Sequence, residues 1–534
     1  MGLCKTILLA LLVIAFAESA SAQNRYIVYF KDKNSSTFNT SDPGKFLSPR
    51  AISRRLKQGI DVTTDDLPVN RNYIQQINSA GAKVYFTSRW LNCALVQTTT
   101  DVATSLQLLS FVSRVEFVAP GMRLTSGRVR STKNRKQSGG AEATKRQLQM
   151  VGIDEMQQDD EFGKGIFVAV LDAGFPGVDT GQPFQHLFSD HQITDSYDFV
   201  FNTKNVFRYD DHGTEVFSVI AANSDTFTGG AYEAAFQLYV TEDNDSEYRV
   251  EEYNWLFAAE RADSLGVDVI HSSLGYNTFD DSSMDYNKTV DLNGKIAIIS
   301  KAATAAIARG IVVVCSAGNE GNNAWGTVTP PADVDGIIAV GSVTSQEARS
   351  PFSSYGPTSD NRYKPDVMAM GSGTSVINPN GTNGFASGTS LAAPLVTSLV
   401  TGLIQRFPDI DPNTIAQKVI STASQAEHPD NLMGFGIPSY AAAKASLEGM
   451  LPLEEISVYP NPTDTGKFSV RFKQPSVEAI IIVYDLNGRI LSTHTVTAKG
   501  GNPIEINVAD LPASSYLVKV KTSDNFKTFK LVKL

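Results

Sequence analysis

Apolar and polar positions along the chain follow three rhythms, and the changes between them divide it. From residue 24 to about 118, strand-like runs (Tyr26 to Phe30, Val84 to Phe86, Cys93 to Val96, Val115 to Val118) mix with helical patterns. These cover Pro49 to Lys57, a segment from Asn72 to a stop at Gly81, and a segment near Val102 to Leu109. Strands and helices mixed within so short a stretch predict a small α+β domain. From Ile153 to about Leu447 the strands become mostly apolar: Ile166 to Leu171, Phe236 to Val240, Val267 to Ile270, Ile311 to Cys315 and Ile337 to Val340. Helical patterns over Gly213 to Ala222, Val250 to Leu265, Ile298 to Arg309 and Pro412 to Ser421 separate them. Gly266 and Gly310 stand where helix stops belong, and Asp411-Pro412 where a start belongs. Apolar strands alternating with helices predict a parallel sheet covered on both faces, with its active site at the carboxyl ends of the strands. In residues 452–534 the period falls to two. Phe468, Val470 and Phe472 alternate with polar neighbours, and Asn487-Gly488 between Ile480 to Tyr484 and Ile490-Leu491 reads as a hairpin. That tail is a small all-β domain.

Within the middle region one stretch stands apart. Gly384 to Pro394 is rich in small residues, and Leu395 to Ile404 behind it is apolar on nearly every side. A helix of that kind belongs in the middle of a core. Pro394 fits its first turn, where no N–H is needed, which sets Ser390 at the mouth of the helix. Free N–H groups and the positive end of the helix dipole favour developing negative charge there.

Residues 119–149 keep none of the rhythms. Arg123, Arg128, Arg130, Lys133, Arg135, Lys136, Lys145 and Arg146 sit among Gly, Ser and Thr, with Glu142 the only acid. The stretch reads as a flexible, protease-sensitive basic linker between two domains. The formal charge of the whole chain, −10, argues against a nucleic-acid partner. Residues 1–22 read as a secretory signal: Lys5, the apolar run Ile7 to Ala17, and Ala20-Ser21-Ala22 for cleavage. That run is too short to span a bilayer, it overrides the myristoylation pattern at Met1-Gly2, and no later stretch is long enough to span. Of three cysteines, Cys4 leaves with the signal, and Cys93 and Cys315 read as buried hydrophobes; an exported chain without a disulfide framework needs a large core. The resulting division is 1–22, 23–118, 119–149, 150–447 and 452–534.

The candidate chemistry lies in the middle region. Asp172 follows directly on the first core strand, and a carboxylate there needs a partner. His212, in Asp-Asp-His-Gly-Thr, begins a helix facing the same end of the sheet. His186, His191, His428 and His494 stand in loop or polar contexts, and His271 reads as a satisfied, half-buried side chain. Asp, His and Ser in that chain order match one of the three known triad orders.

With these motifs, residues 150–446 resemble the subtilisin-like (subtilase) serine proteases. Asp172 in Leu-Asp-Ala-Gly, His212 in Asp-His-Gly-Thr and Ser390 in Gly-Thr-Ser-Leu-Ala-Ala-Pro stand where that family keeps its triad, and Asn319 in Ser-Ala-Gly-Asn-Glu-Gly stands where it keeps its oxyanion-hole amide. The resemblance implies a three-layer α/β fold with a mostly parallel central sheet. It implies peptide substrates bound along Ser273-Leu274-Gly275 and a first specificity pocket lined by Ala317-Gly318. Residues 23–118 then occupy the place of a prodomain, a chaperone and inhibitor removed in maturation, with a mature start near 137 to 150. The tail, with Val458-Tyr459-Pro460-Asn461-Pro462, Asp485-Leu486-Asn487-Gly488 and Tyr516 to Val520, resembles the sorting domain of type IX secretion. That implies the secretion machinery as a partner and a place on or beyond the outer membrane of a Gram-negative cell; its alternative is a surface-binding β-sandwich. Three positions depart from the family: Ala173 for Thr, Glu215 for His, and Leu391 for Met. Glu215, one helical turn beyond His212, either raises that imidazole's pKa or faces solvent, and the sequence favours solvent. No metal motif occurs and no cofactor is certain. A structural calcium is common in the family, but Asp243-Asn244-Asp245 and Asp280-Asp281 read as solvated loops. A catalytically dead binding or adhesion protein and an esterase using the same triad are the alternative readings; the intact constellation and the absence of a Gly-x-Ser-x-Gly elbow count against them.

Overall fold

The computed structural model describes residues 23–34, 36–121, 142–450, 456–472, 476–499, 503–522 and 526–534. The signal-like residues 1–22 and most of the basic linker lie outside them. One compact unit runs to Leu447 and a second begins at Glu448.

The first unit opens with strands β1 (Asn24–Phe30), β2 (Lys83–Ser88), β3 (Cys93–Thr98) and β4 (Val112–Pro120), and helices α1 (Pro49–Lys57), α2 (Arg71–Ser79) and α3 (Thr100–Leu106). The strands form an antiparallel sheet in the order β2-β3-β1-β4. Alternation in β1 explains how it is covered. Tyr26, Val28 and Phe30 pack on Ile77, Ala103 and Leu106 of the segment's own helices, while Ile27 and Tyr29 join a core shared with the helices that follow. Successive strand residues point to opposite faces, so this sheet needs two partners and has both.

Next come α4 (Glu142–Met150), β5 (Phe167–Asp172), β6 (Ile193–Asp198), α5 (His212–Ala221), β7 (Ala235–Val240), α6 (Val250–Leu265), β8 (Val269–Ser272), α7 (Ile298–Ile307), β9 (Val312–Ser316), β10 (Ile338–Val343), β11 (Val367–Met370), α8 (Thr389–Arg406) and α9 (Pro412–Ser421). The strands make one parallel sheet in the order β11-β10-β9-β8-β5-β7-β6. Val168 and Val170 of β5 enter a core with α5 and α8; Ala169 and Leu171 enter the core with α6 and α7. Both faces are therefore covered, the three-layer arrangement expected. The chain leaves β5 toward β6 and β7 on one side and crosses to β8 on the other, so the switch point lies between β5 and β8. Crevices for ligands open at the carboxyl ends on either side of such a point.

The basic stretch is shorter than its composition suggests. Residues 119–120 belong to β4 and 142–149 to α4, where buried Gln147 donates to the Ser375 carbonyl and accepts from Ser375 N–H. Arg146 is likewise held by the Ser345 carbonyl and Glu347. Basic residues in that last part serve a docked helix rather than a free tail.

An ion cluster ties the N-terminal segment to α6. Asp263, fully buried, accepts from Arg54 at 2.6 Å, from Arg55 at 2.7 Å and from Arg89; Asp66 pairs with Arg55 at 2.9 Å and Arg309 at 2.7 Å. Buried charges persist only in such company. Beside them Glu260 accepts the backbone N–H groups of Arg89 and Trp90.

The second unit is all antiparallel β. Ile456–Tyr459, Lys467–Phe472 and Ile504–Asn507 form one sheet; Ile490–Lys499, Ser476–Tyr484, Ser514–Thr522 and Phe526–Lys533 form another. The alternating Phe468, Val470 and Phe472 share one core with Ile481, Val518 and Leu531. The expected hairpin turns at Asn487-Gly488, with Gly488 at φ +82°.

Candidate active site

Three carboxyl ends of neighbouring strands supply most of the site. Asp172 closes β5, Ser273 follows β8, and Ala317 to Asn319 follow β9. Buried Asp172 sets its Oδ1 2.7 Å from Ala173 N–H and 2.8 Å from His212 Nδ1. An ionised carboxylate only accepts, so Nδ1 donates in this bond and the carboxylate orients the ring. His212 stands at the first position of α5, fixed by its own N–H on Asp210 Oδ1 at 2.9 Å, with 32% of its side chain exposed. Gly213 is forced by closeness: a Cβ there would stand 2.2 Å from the Gly174 carbonyl and 3.1 Å from Asp172 Oδ1.

Glu215 does not face solvent. Every residue of α5 from Gly213 to Ala221 is buried, Glu215 included, because the helix is enclosed in the core and has no wet face.

Ser390 is the second residue of α8, whose residues 389–404 are all buried. The helix begins earlier than the position of Pro394 suggests, and that proline lies inside it. Ser390 Oγ sits 3.4 Å from the Ser273 carbonyl, and Ser273 Oγ–H donates to the Ser390 carbonyl at 2.9 Å. Beside the helix mouth, Asn319 Oδ1 accepts from Thr389 N–H at 2.8 Å and Thr389 Oγ at 3.0 Å. A backbone N–H is a donor only, so these bonds assign the oxygen and turn Nδ2 the other way, 3.6 Å from where a Gly388 Cβ would stand. A helix N-terminus, an amide donor beside it, and an Asp-oriented imidazole can together stabilise an oxyanion and move a proton.

Gly275 and Gly318, from the two segments expected to line the substrate path, both face Thr329: Cβ atoms there would lie 2.2 Å and 2.9 Å from its hydroxyl. Thr329 went unread in the sequence, since nothing near it in the chain marks a site; Thr389 reads there only as part of the motif around Ser390, and His271 as a satisfied side chain. His271 is fully buried rather than half-buried, with hydrogen bonds at both ring nitrogens.

Among the described residues, one group of carboxylates lies close enough to share a cation: Glu242, Glu247 and Glu251, with ligand oxygens within 4.8 Å of one another. Burial raises all three, Glu247 to about 7. Both Glu251 oxygens already accept backbone N–H groups, of Asp243 and Tyr248, and Glu242 holds the Tyr276 hydroxyl. That falls short of the six to eight oxygens calcium takes. The cluster is a crowded group of carboxyls whose raised pKa values favour the protonated forms, and not an assigned calcium site.

Comparison with known proteins finds a family match for each of the three parts of the chain. Residues 163–436 match the model of the Subtilase family, residues 25–138 that of the Peptidase S8 propeptide domain of Bacteroidota, and residues 457–534 that of a secretion system C-terminal sorting domain. Subtilisin of Bacillus pumilus is 33% identical over 267 residues, 49% of this chain and 85% of that protein. Subtilisin E of Bacillus subtilis (strain 168) is 31% identical over 265 residues, and this chain spans 61% of its length. The crystal structure of an epidermin leader peptide processing serine protease from Staphylococcus aureus shares the fold, with a TM-score of 0.54 at 18% identity over 79% of this chain and 99% of that one.

Proposed function

The chain belongs to the subtilase family, and from that premise we propose that it is a secreted serine endopeptidase made as a zymogen. The Asp172–His212 bond is the observation that carries the proposal: it holds the His212 ring by Nδ1 at the carboxyl edge where Ser390 opens its helix, the orientation in which Nε2 serves as the base. His212 takes the Ser390 proton as Oγ attacks the peptide carbonyl, and later gives it to the leaving amine; Asp172 stabilises the imidazolium between. Asn319 Nδ2 and Ser390 N–H donate to the oxyanion. The substrate adds as a strand along Ser273-Leu274-Gly275, with one side chain entering beside Ala317-Gly318.

The N-terminal segment acts as the prodomain, docked through β1, β3 and the Asp263 cluster. Cleavage falls before α4, since α4 is packed against Ser375 and Glu347 as part of the catalytic region. The C-terminal sorting domain delivers the protein to the outer surface of a Gram-negative cell. No helix among the described residues is long and apolar enough to cross a membrane.

A fluorophosphonate probe with peptide and ester substrates tests the reading. Labelling that is lost in Ser390→Ala, with peptide turnover, supports it. Absence of labelling in the matured protein points to a binding role, and ester turnover without peptide turnover to an esterase.

A further inference from the structure

Pro394 stands four residues beyond Ser390 and has no N–H, so the Ser390 carbonyl lacks the donor that would close its helical turn. The Ser273 hydroxyl fills that gap at 2.9 Å. This hydroxyl is itself held: His271 Nε2 lies 2.9 Å from Ser273 Oγ, and His271 Nδ1 lies 2.8 Å from Thr397 Oγ1. Burial, with the nearby His212, pushes the His271 pKa down to about 3, so the ring is neutral and carries one N–H.

Three protons serve four contacts here, and the direction follows from which carbonyl has another donor: Ala393 keeps the Thr397 N–H of its helical turn, whereas Ser390, four residues before Pro394, has none. A carbonyl oxygen only accepts, so Ser273 must spend its single hydroxyl proton on Ser390. Ser273 Oγ then accepts from His271 Nε2–H, and Nδ1 accepts from the Thr397 hydroxyl, which gives it the proton that would otherwise go to the Ala393 carbonyl 3.1 Å away. In the opposite tautomer the Ser273 proton turns to Nε2, and the Ser390 carbonyl loses its donor.

We infer that His271 is a positioning residue for the nucleophile: its Nε2–H form aims the Ser273 hydroxyl at the Ser390 carbonyl and so fixes the peptide that carries Ser390 Oγ and N–H. The inference rests on Ser390 being the nucleophile, as proposed above. Ser273 and Ser390 clasp each other in both directions, since Ser390 Oγ also rests on the Ser273 carbonyl. A Ser273 side chain free to rotate loosens the attacking oxygen and one oxyanion donor together.

Two experiments on the full chain decide it. Nitrogen-15 NMR of the histidines in the Ser390→Ala protein, with the His271 signals assigned by their loss in His271→Gln, reads the tautomer without any turnover. An Nε2–H ring that does not titrate between about pH 5 and 9 is expected; an Nδ1–H ring, or titration in that range, overturns the inference whether or not the chain cleaves peptides. The second is kinetic. His271→Leu lowers kcat on the order of tenfold with KM nearly unchanged, the worth of one hydrogen bond made to the reacting segment. His271→Gln, whose amide donates to Ser273, recovers most of the loss, and His271→Leu combined with Ser273→Ala is no slower than Ser273→Ala alone. A folded His271→Leu protein with wild-type kcat, or losses that add in the double variant, refutes the role. Should His271→Leu fail to fold, the tautomer alone decides.

Discussion

Replacing Asp263 with Asn removes one charge and almost no volume from the contact between the N-terminal segment and α6. Arg54, Arg55 and Arg89 then lose the carboxylate they converge on. Breaking a buried pair from one side costs about 3–5 kcal/mol, because the remaining charge stays buried. Residual acceptors place this case at the lower end: Arg55 keeps Asp66, Arg54 keeps the Val267 and Arg309 carbonyls, and Arg89 keeps Ser264 Oγ at 2.6 Å. About 3 kcal/mol corresponds to a loss on the order of a hundredfold in the constant for docking or folding. The assay is denaturant unfolding of the zymogen carrying Ser390→Ala, so that cleavage does not intervene, with protease accessibility of residues 23–121 as a second readout. The sign with pH follows. Burial alone would raise Asp263, but Arg89, Arg54 and Arg55 outweigh it and hold the carboxylate below its usual range. Its contribution is therefore present at neutral pH and lost as pH falls through the lowered value. Acid loosens the parent and spares Asp263→Asn that increment. An Asp263→Asn zymogen with the parent's midpoint and the parent's protection would falsify the assignment of this cluster as the clamp.

Asn319→Ala removes a preorganised donor and should lower kcat by about two to three decades with little change in KM, measured on a chromogenic peptide. Gly213→Ala places a Cβ against the Gly174 carbonyl and Asp172 Oδ1, so fluorophosphonate labelling of Ser390 should fall even in protein that is secreted and folded; wild-type labelling contradicts the packing. Glu247 is raised to about 7 by burial and by Asp280 and Glu252, against an ordinary 4.5. The native state thus holds a proton the unfolded chain has released, and stability falls as pH rises through that window. Glu247→Gln should match the wild-type Tm near pH 4.5 and exceed it at about pH 8; equal Tm values at both would show that the group carries no such load.

The parts legible in the sequence were those whose signal is local. Continuous apolar strands and capped helices gave the parallel sheet, with α6 and α9 matching the expected bounds, because each element carries its own period and stops. The motifs around Asp172, His212, Asn319 and Ser390 are also contiguous, so they can be read without a fold. Strand β6 went unseen because it is an edge strand, polar enough to hold Asp195 against Arg261 and Tyr239. Strand β11 is four residues long, too short for a period. Glu215 was misplaced because charge argues for solvent, and only tertiary packing shows that α5 has none. Pro394 misled in a productive way. Proline prefers a first turn, but the helix starts at Thr389 because Asn319, seventy positions away, caps Thr389 N–H. The bond from Ser273 that makes Pro394 tolerable is likewise a long-range contact, as are the His271 chain and the Glu242–Glu247–Glu251 cluster, and such contacts leave no local mark.

N-terminal sequencing of the purified chain beside its Ser390→Ala variant, both made without residues 452–534, bears on the whole reading at once. A wild type that starts before α4, with a variant that still carries the N-terminal segment, is the result of a serine endopeptidase that matures itself through Ser390. A variant that loses the segment as the wild type does shows that Ser390 is not what cuts it. If both keep the segment and no peptide is cleaved after a trace of outside protease is added, the chain is a subtilase fold put to another use.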